Sequence, residues 1–440
     1  MFIAWIVLCF LTAFLLRSRP LVLVVASVVI WAAIPSVAGE LITRQPSGSM
    51  SFHPASWLIL ATAAVLVVLD TRGVIDEIGR RVFVYLALLL FLSVAFLATK
   101  TSASGSGLVL FIDVMLAPVL LFMITNVALA RHPGGLLVLR NWVIGIAAVE
   151  GGFAFVQKLL GSVVLYRTFF QKQYWFDEIR FPRWMGTLDN PLTLSLLLCV
   201  AVPLVAGIRS VWLQVPLLAI MGLGAVATAS RTGLGVVALG IVYVVVTAKV
   251  RPVAKVVAIT VLGVAAYFLA TSVLVQGVAD RLQNDTGSAL ARGAALDFFM
   301  SHVDRFFLTG GGIGSSYEIA DLAGLSTSLE SSILIYAVDV GVLFSLIYFG
   351  VQLVIALRSI GPSVCPGLTW AALVAVIVPQ TYNALGARTI AGILVWLILG
   401  MAASMTSQRR LDNATSADAT PLADLAPSRQ QPARPASLPT

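Results

Sequence analysis

Charge is what this chain has least of. Asp, Glu, Lys and Arg make up 11% of its 440 residues, whereas 59% are hydrophobic and the mean hydropathy is +0.98. Soluble domains carry about a quarter charged residues, so a water-soluble fold is excluded. Cysteine and histidine are equally sparse. Cys9, Cys199 and Cys365 lie far apart, as do His53, His132 and His302, which excludes a disulfide framework and any Cys/His metal spacing. The apolar runs show no in/out alternation, which excludes a β-barrel. The first run, 1–16, has neither a basic leading segment nor a small-x-small cleavage site, so it is expected to be a span rather than a signal peptide. The net charge of +8 is scattered over short connections, and no nucleic-acid partner is expected.

What remains is apolar length. Many runs reach the ~17–25 residues that cross a ~30 Å hydrocarbon core. The expected fold is an all-α polytopic membrane protein of about 12–13 transmembrane helices. Their positions are about 2–16, 21–37, 57–69, 82–98, 108–129, 141–160, 191–207, 211–229, 232–248, 253–275, 331–357, 367–382 and 387–404. Three regions follow: membrane helices over 1–160, a membrane core over 161–404 with long polar loops at 161–190 and 276–330, and a disordered cytoplasmic tail over 405–440. One alternating set of connections is short and basic (Arg17, Arg19, Arg72, Arg80, Arg81, Arg131, Arg140, Arg209, Arg358) and is expected on the cytoplasmic side. Both long loops then lie outside.

This topology leaves an unusual set of arginines on the external face. Arg231 sits in Ser230-Arg231-Thr232-Gly233, between the apolar runs 211–229 and 234–247. A guanidinium stays charged and is costly at membrane depth, so its retention there points to an anion. Loop 161–190 is dense in aromatics and carries Arg180 and Arg183 just ahead of Gly186-Thr187 and Asn190-Pro191. Two readings stay open: an interfacial belt, and a folded turn aiming side chains at the helix mouth. Loop 276–330 holds a stretch of helical spacing around Arg292, expected to form an amphipathic surface helix. Next comes Gly310-Gly311-Gly312-Ile313-Gly314, either a flexible turn or a set of backbone N–H groups facing an anion. Glu330 follows at a span start, as a helix-start charge or a general base. Asp113, Glu150 and Asp339 lie inside spans, as functional acids or as counter-ions.

Four of these segments together resemble the O-antigen ligase/polymerase family of bacterial membrane glycosyltransferases. The resemblance spans about 180–341. Arg183 with Gly186-Thr187 and Asn190-Pro191 is similar to the family's Arg…Gly-Thr…Asn-Pro span opening, and Ser230-Arg231-Thr232-Gly233 matches its Ser-Arg-Thr-Gly turn. Arg292 followed by Gly310, Gly312 and Gly314 resembles its Arg-rich loop and Gly-x-Gly turn. Glu330-Ser331 through Asp339 and Gly341 resembles its His-Asn…Glu-x-Gly span start, with Glu330 where the family commonly has His and Ser331 where it has Asn.

The resemblance implies an enzyme in the bacterial plasma (inner) membrane, active at the external or periplasmic face. Its donor would be an undecaprenyl-diphosphate-linked glycan and its acceptor a glycan, lipid or protein, with a chain-length regulator as a further partner of a polymerase. On these residues, Arg183, Arg231, Arg292 and Arg180 are expected to hold the diphosphate. Glu330 is expected to act as base, with His302 as its substitute, and Arg231 to steady the leaving group. Thr187, Asn190, Ser230, Gly312, Gly314 and Asp339 are expected to support them. No acidic cluster with metal geometry is visible, so metal-independent chemistry without a cofactor is expected. The competing expectation is a transporter or flippase of a lipid-linked saccharide, although neither a half-to-half repeat nor a central charged path is evident.

Overall fold

The computed structural model describes residues 1–43, 50–101, 107–132, 134–173, 176–179, 182–247, 252–270, 287–325, 329–361 and 364–418. The described residues form helices and connections without a strand. Gly107–Arg131, Gly135–Leu160 and Val211–Thr228 are each long and apolar enough to cross a membrane, and two bent pairs bring the candidates to 5. Shorter apolar helices accompany them, among them Phe2–Leu15, Val82–Ala98, Arg231–Thr247 and Val342–Arg358.

Apolar residues fill the core and also cover much of the outer helix surface. Large apolar side chains such as Ile3, Phe83, Leu89, Val149 and Val246 are exposed on the helix surfaces, while Glu77, Asp113, Gln157, Gln352 and Asp339 are buried. Apolar surface on this scale is stable only in a hydrocarbon solvent. The chain is a helical membrane protein.

Short signals set the helix ends. Asn190 accepts the N–H of Thr193 at 2.8 Å ahead of Pro191, whose missing N–H costs nothing at a helix start. His53 does the same for the helix Pro54–Leu69 through the N–H of Ala55 at 3.2 Å. Close backbone approach sets the packing. Gly151 and Gly224 let Gly135–Leu160 cross Val211–Thr228, and a Cβ on Gly224 would overlap the Gly151 backbone. At the centre, Trp396 donates to the Tyr348 hydroxyl at 2.7 Å within a cluster that includes Phe91 and Tyr336.

Several expected spans are interrupted. The run 331–357 is two helices, Ser332–Asp339 and Val342–Arg358, separated at Gly341, whose φ of 120° no helix accepts. The run 21–37 stops at Ala33 and turns by 86° into Ser36–Thr43. The basic connection after Leu69 is itself a helix, Thr71–Arg80, reached through a 100° bend. The final helix starts at Ala391 rather than 387 and runs to Asp418, so the stretch after Arg410 begins helical instead of disordered; residues 419–440 lie outside the described ones.

Connections gather at two opposite ends of the bundle. At one end Ser36 donates to Asp189 at 2.5 Å, Tyr166 to Ala33 at 2.9 Å, and Ile313 to Ala98 at 3.3 Å. At the other, Arg131 pairs with Asp70, Arg81 reaches the Ala403 carbonyl at 3.0 Å, and Arg140 the Gly207 carbonyl at 3.1 Å. The short basic connections thus share one end, and loop 161–190, the Arg231 turn and Glu330 share the other.

Candidate active site

Two residues, Ala229 and Ser230, join Val211–Thr228 to Arg231–Thr247. The reversal requires Ala229 at φ 50°, a left-handed conformation that alanine rarely adopts. Ser230 then caps the new helix by accepting the Gly233 N–H at 3.2 Å, and Arg231 becomes its first residue, half-buried at the mouth. The segment before Pro191 is stitched to the same turn. Trp184 donates to the Ala227 carbonyl at 3.1 Å, and Arg183 donates through Nε to the Thr228 carbonyl at 3.0 Å. Arg183 thereby satisfies a carbonyl left open at a helix C-terminus. Arg183 thus lies against the turn from which Arg231 opens the next helix.

The Gly186-Thr187 turn plays a different part. Gly186 has φ 68°, and a Cβ there would strike Glu150. Glu150 accepts from the Thr187 N–H at 2.8 Å and the Thr187 hydroxyl at 2.7 Å, and Gln157 bonds both Gly186 backbone groups, at 2.8 and 3.0 Å. Thr187 therefore holds the loop against its neighbouring helices, and Asn190 caps the helix that follows. Asp189 is buried beside them, and burial pushes its carboxyl up to about 6 despite the opposing hydrogen bond from Ser36. Glu150, Gln157 and Asp189 are structural partners that sequence reasoning did not assign to this loop. Polar residues inside or beside apolar runs were the only signal.

Glu330 is the second focus. Its φ is 52°, so Ala229 and Glu330 are two of the three non-glycine residues with left-handed backbone among the described residues. Such conformations cost of order 1–3 kcal/mol and persist where the surroundings enforce them. Here Leu329 is buried, and Ser332 is clamped, donating to the Pro379 carbonyl at 2.7 Å. The Glu330 carboxylate stays partly exposed, 3.3 Å from Arg292 of the helix Gly287–Ser301. The two residues expected to share the site are in contact, though as an ion pair. Tyr382 lies between the foci: its carbonyl accepts from the Ser332 hydroxyl at 3.2 Å, and its own hydroxyl donates to the Leu192 carbonyl at 3.1 Å. His302 is turned away, stacked on Phe298 and bonded to the Phe298 carbonyl at 2.8 Å.

The glycine turn corrects an expectation. Its backbone N–H groups do face an anion, but the anion is Asp339. The Asp339 carboxylate accepts from Gly314 N at 3.0 Å, Ser316 N at 2.8 Å and Ser315 Oγ at 3.4 Å, while its backbone carbonyl accepts from Gly312 N at 3.1 Å. Gly312 and Gly314 adopt φ of 105° and 88°, and a Cβ on Gly312 would press on Thr101. Gly312, Gly314 and Asp339 form a lock within the chain. Asp113 is likewise engaged, accepting from the His53 N–H at 3.0 Å and pairing with Arg388 at 2.7 Å. The three acids inside spans all serve local partners.

Arg180 lies outside the described residues. Among the described residues no group of three or more His, Cys, Asp or Glu could hold a metal ion. The chain matches no protein-family model and no curated protein.

Proposed function

We propose that this chain is a glycosyltransferase of the bacterial plasma membrane that moves a glycan from undecaprenyl diphosphate to an acceptor hydroxyl. The observation that carries the reading is Arg183 bonded to the Thr228 carbonyl beside the turn that opens on Arg231, while Tyr382 bonds both Leu192 and Ser332, two residues after Glu330, which faces Arg292. An arginine set at the mouth of apolar helices suits a lipid diphosphate, whose phosphate oxygens accept forked, charge-assisted bonds. In this reading the apolar helices form about thirteen spans, the arginine end faces outward, and the C-terminus is cytoplasmic.

The acceptor O–H attacks the anomeric carbon, and the bond from that carbon to the diphosphate oxygen breaks. The electron pair leaves with undecaprenyl diphosphate, and Arg231 and Arg183 meet the growing charge. The proton passes to a Glu330 carboxylate oxygen, giving inversion. Arg292 holds Glu330 until the diphosphate competes for the guanidinium. The acceptor belongs to a glycan, lipid or protein. The test is turnover of a lipid-diphosphate glycan by reconstituted Glu330→Gln and Arg231→Ala proteins. Glu330→Gln should fold and bind lipid while losing transfer, and Arg231→Ala should fold while losing transfer and holding the lipid diphosphate more weakly; wild-type turnover in both would overturn the reading.

A further inference from the structure

A large space outside that site lies at the opposite end from Glu330. Arg231 opens the helix Arg231–Thr247, and Thr247, at its far end, lines a cavity of about 1200 Å³. Sixteen residues at 1.5 Å rise put the two ends about 24 Å apart. The cavity therefore has no share in the site described above.

Its chemistry is amphipathic. Leu137, Ile144, Leu213 and Leu217 form apolar walls, and Tyr243 stacks on Trp370 at 5.7 Å beside them. Two arginines, Arg140 and Arg209, lie in the lining together with Asn141 and Ser210, and no described lining residue is acidic. Arg140 is 9% exposed, yet among the described residues its guanidinium bonds only neutral oxygens, Asn141 Oδ1 at 2.8 and 3.1 Å and the Gly207 carbonyl at 3.1 Å. Room for it depends on Gly207, where a Cβ would collide with the guanidinium. Elsewhere at this end Arg81 and Arg131 are each answered by a carboxylate, Glu77 and Asp70. Among the described residues this buried guanidinium is answered only by neutral dipoles, next to a second arginine and a large apolar-walled space, and none of their carboxylates supplies its counter-charge.

We propose that this cavity binds the headgroup of an anionic phospholipid from the basic-side leaflet, with its phosphate between Arg140 and Arg209 and its acyl chains along Leu213, Leu217 and Ile144. Basic pockets between helices on the cytoplasmic side take such headgroups by the same charge pairing. The phosphate supplies the missing negative charge, Ser210 and Asn141 offer hydrogen bonds, and the volume exceeds what a free phosphate fills. The proposal is independent of the glycosyl-transfer reading.

The experiment is native mass spectrometry and thermal unfolding of the full-length protein in mild detergent, titrated separately with dioleoylphosphatidylglycerol, dioleoylphosphatidylcholine and inorganic phosphate. Phosphatidylglycerol should be retained as a mass adduct and raise the unfolding temperature, with the other two having little effect. Arg209→Gln, at an exposed position, should weaken phosphatidylglycerol retention by about tenfold, ~1.4 kcal/mol. Arg140→Gln should weaken it further. Equal effects of phosphatidylcholine would reduce the cavity to an apolar slot, and equal effects of inorganic phosphate would make it a free-anion site; either overturns the proposal. Should Arg140→Gln fail to fold, Arg209→Gln alone decides, and wild-type retention in that variant overturns it too.

Discussion

Two carboxylates bracket the helix Ser332–Asp339, and their surroundings differ in almost every respect. Asp339 is 4% exposed and takes hydrogen bonds from Gly314, Ser315 and Ser316, which fixes the glycine turn to the broken helix. The Glu330 side chain is 22% exposed, has a single guanidinium neighbour at 3.3 Å, and sits on a left-handed backbone. A carboxylate surrounded by donors from its own chain is part of the scaffold. One that is partly exposed, held on a strained backbone and faced by an arginine is placed to act on something else. Both acids are candidates in the sequence, and only their neighbours tell them apart.

The strongest way to break this contrast is Glu330→Gln. As a general base, Glu330 should contribute about 10²–10⁴ in turnover, with unfolding unchanged within about 1 kcal/mol. Initial-rate assays beside denaturant unfolding check both halves, and a stability loss matching the activity loss would erase the distinction. Arg231→Ala should lower turnover by about 10²–10³, the scale for removing one donor to a leaving-group charge. Lysine at this position should restore only part of it, because it lacks the planar fork.

Asp339→Asn should show the reverse pattern, a stability loss of about 3 kcal/mol with turnover per folded molecule largely kept. Asp189 extends the comparison to pH. Its folded carboxyl titrates near 6, above the 3.8 of an unburied aspartate, so the folded state binds the proton more tightly. That stabilisation is present below about 4 and is lost as pH rises through 6, a decline of roughly 2–3 kcal/mol. Asp189→Asn should flatten this part of the unfolding profile. The smallest effect is expected for Glu330→Gly. Relief of the left-handed strain should offset glycine's extra chain entropy and raise stability by up to about 1 kcal/mol while activity is lost.

Much of the scaffold was legible because its causes are local. Asn190-Pro191 announced a capped helix start, and the short basic connections sorted to one end. Ser230-Arg231-Thr232-Gly233 marks a reversal between two apolar runs, which Ser230 caps and Arg183 braces through the Thr228 carbonyl. The breaks were less visible. A run such as 331–357 is apolar throughout, and only Gly341 at φ 120° betrays the interruption. The helix Thr71–Arg80 was read as a loop because its charges looked like those of a connection.

The sequence by itself determined the solvent of this protein, the positions of most helices and the pool of arginines and acids from which a site could be drawn. Those follow from composition, apolar length and capping, which act within a few residues. Only the tertiary structure decided how each charge is used: Asp339 for the glycine turn, Glu150 for Thr187, Asp113 for Arg388, Glu330 for Arg292, and neutral oxygens alone for Arg140. In each carboxylate case the partner lies 23 or more residues away along the chain, and burial rather than sequence spacing sets the pairing.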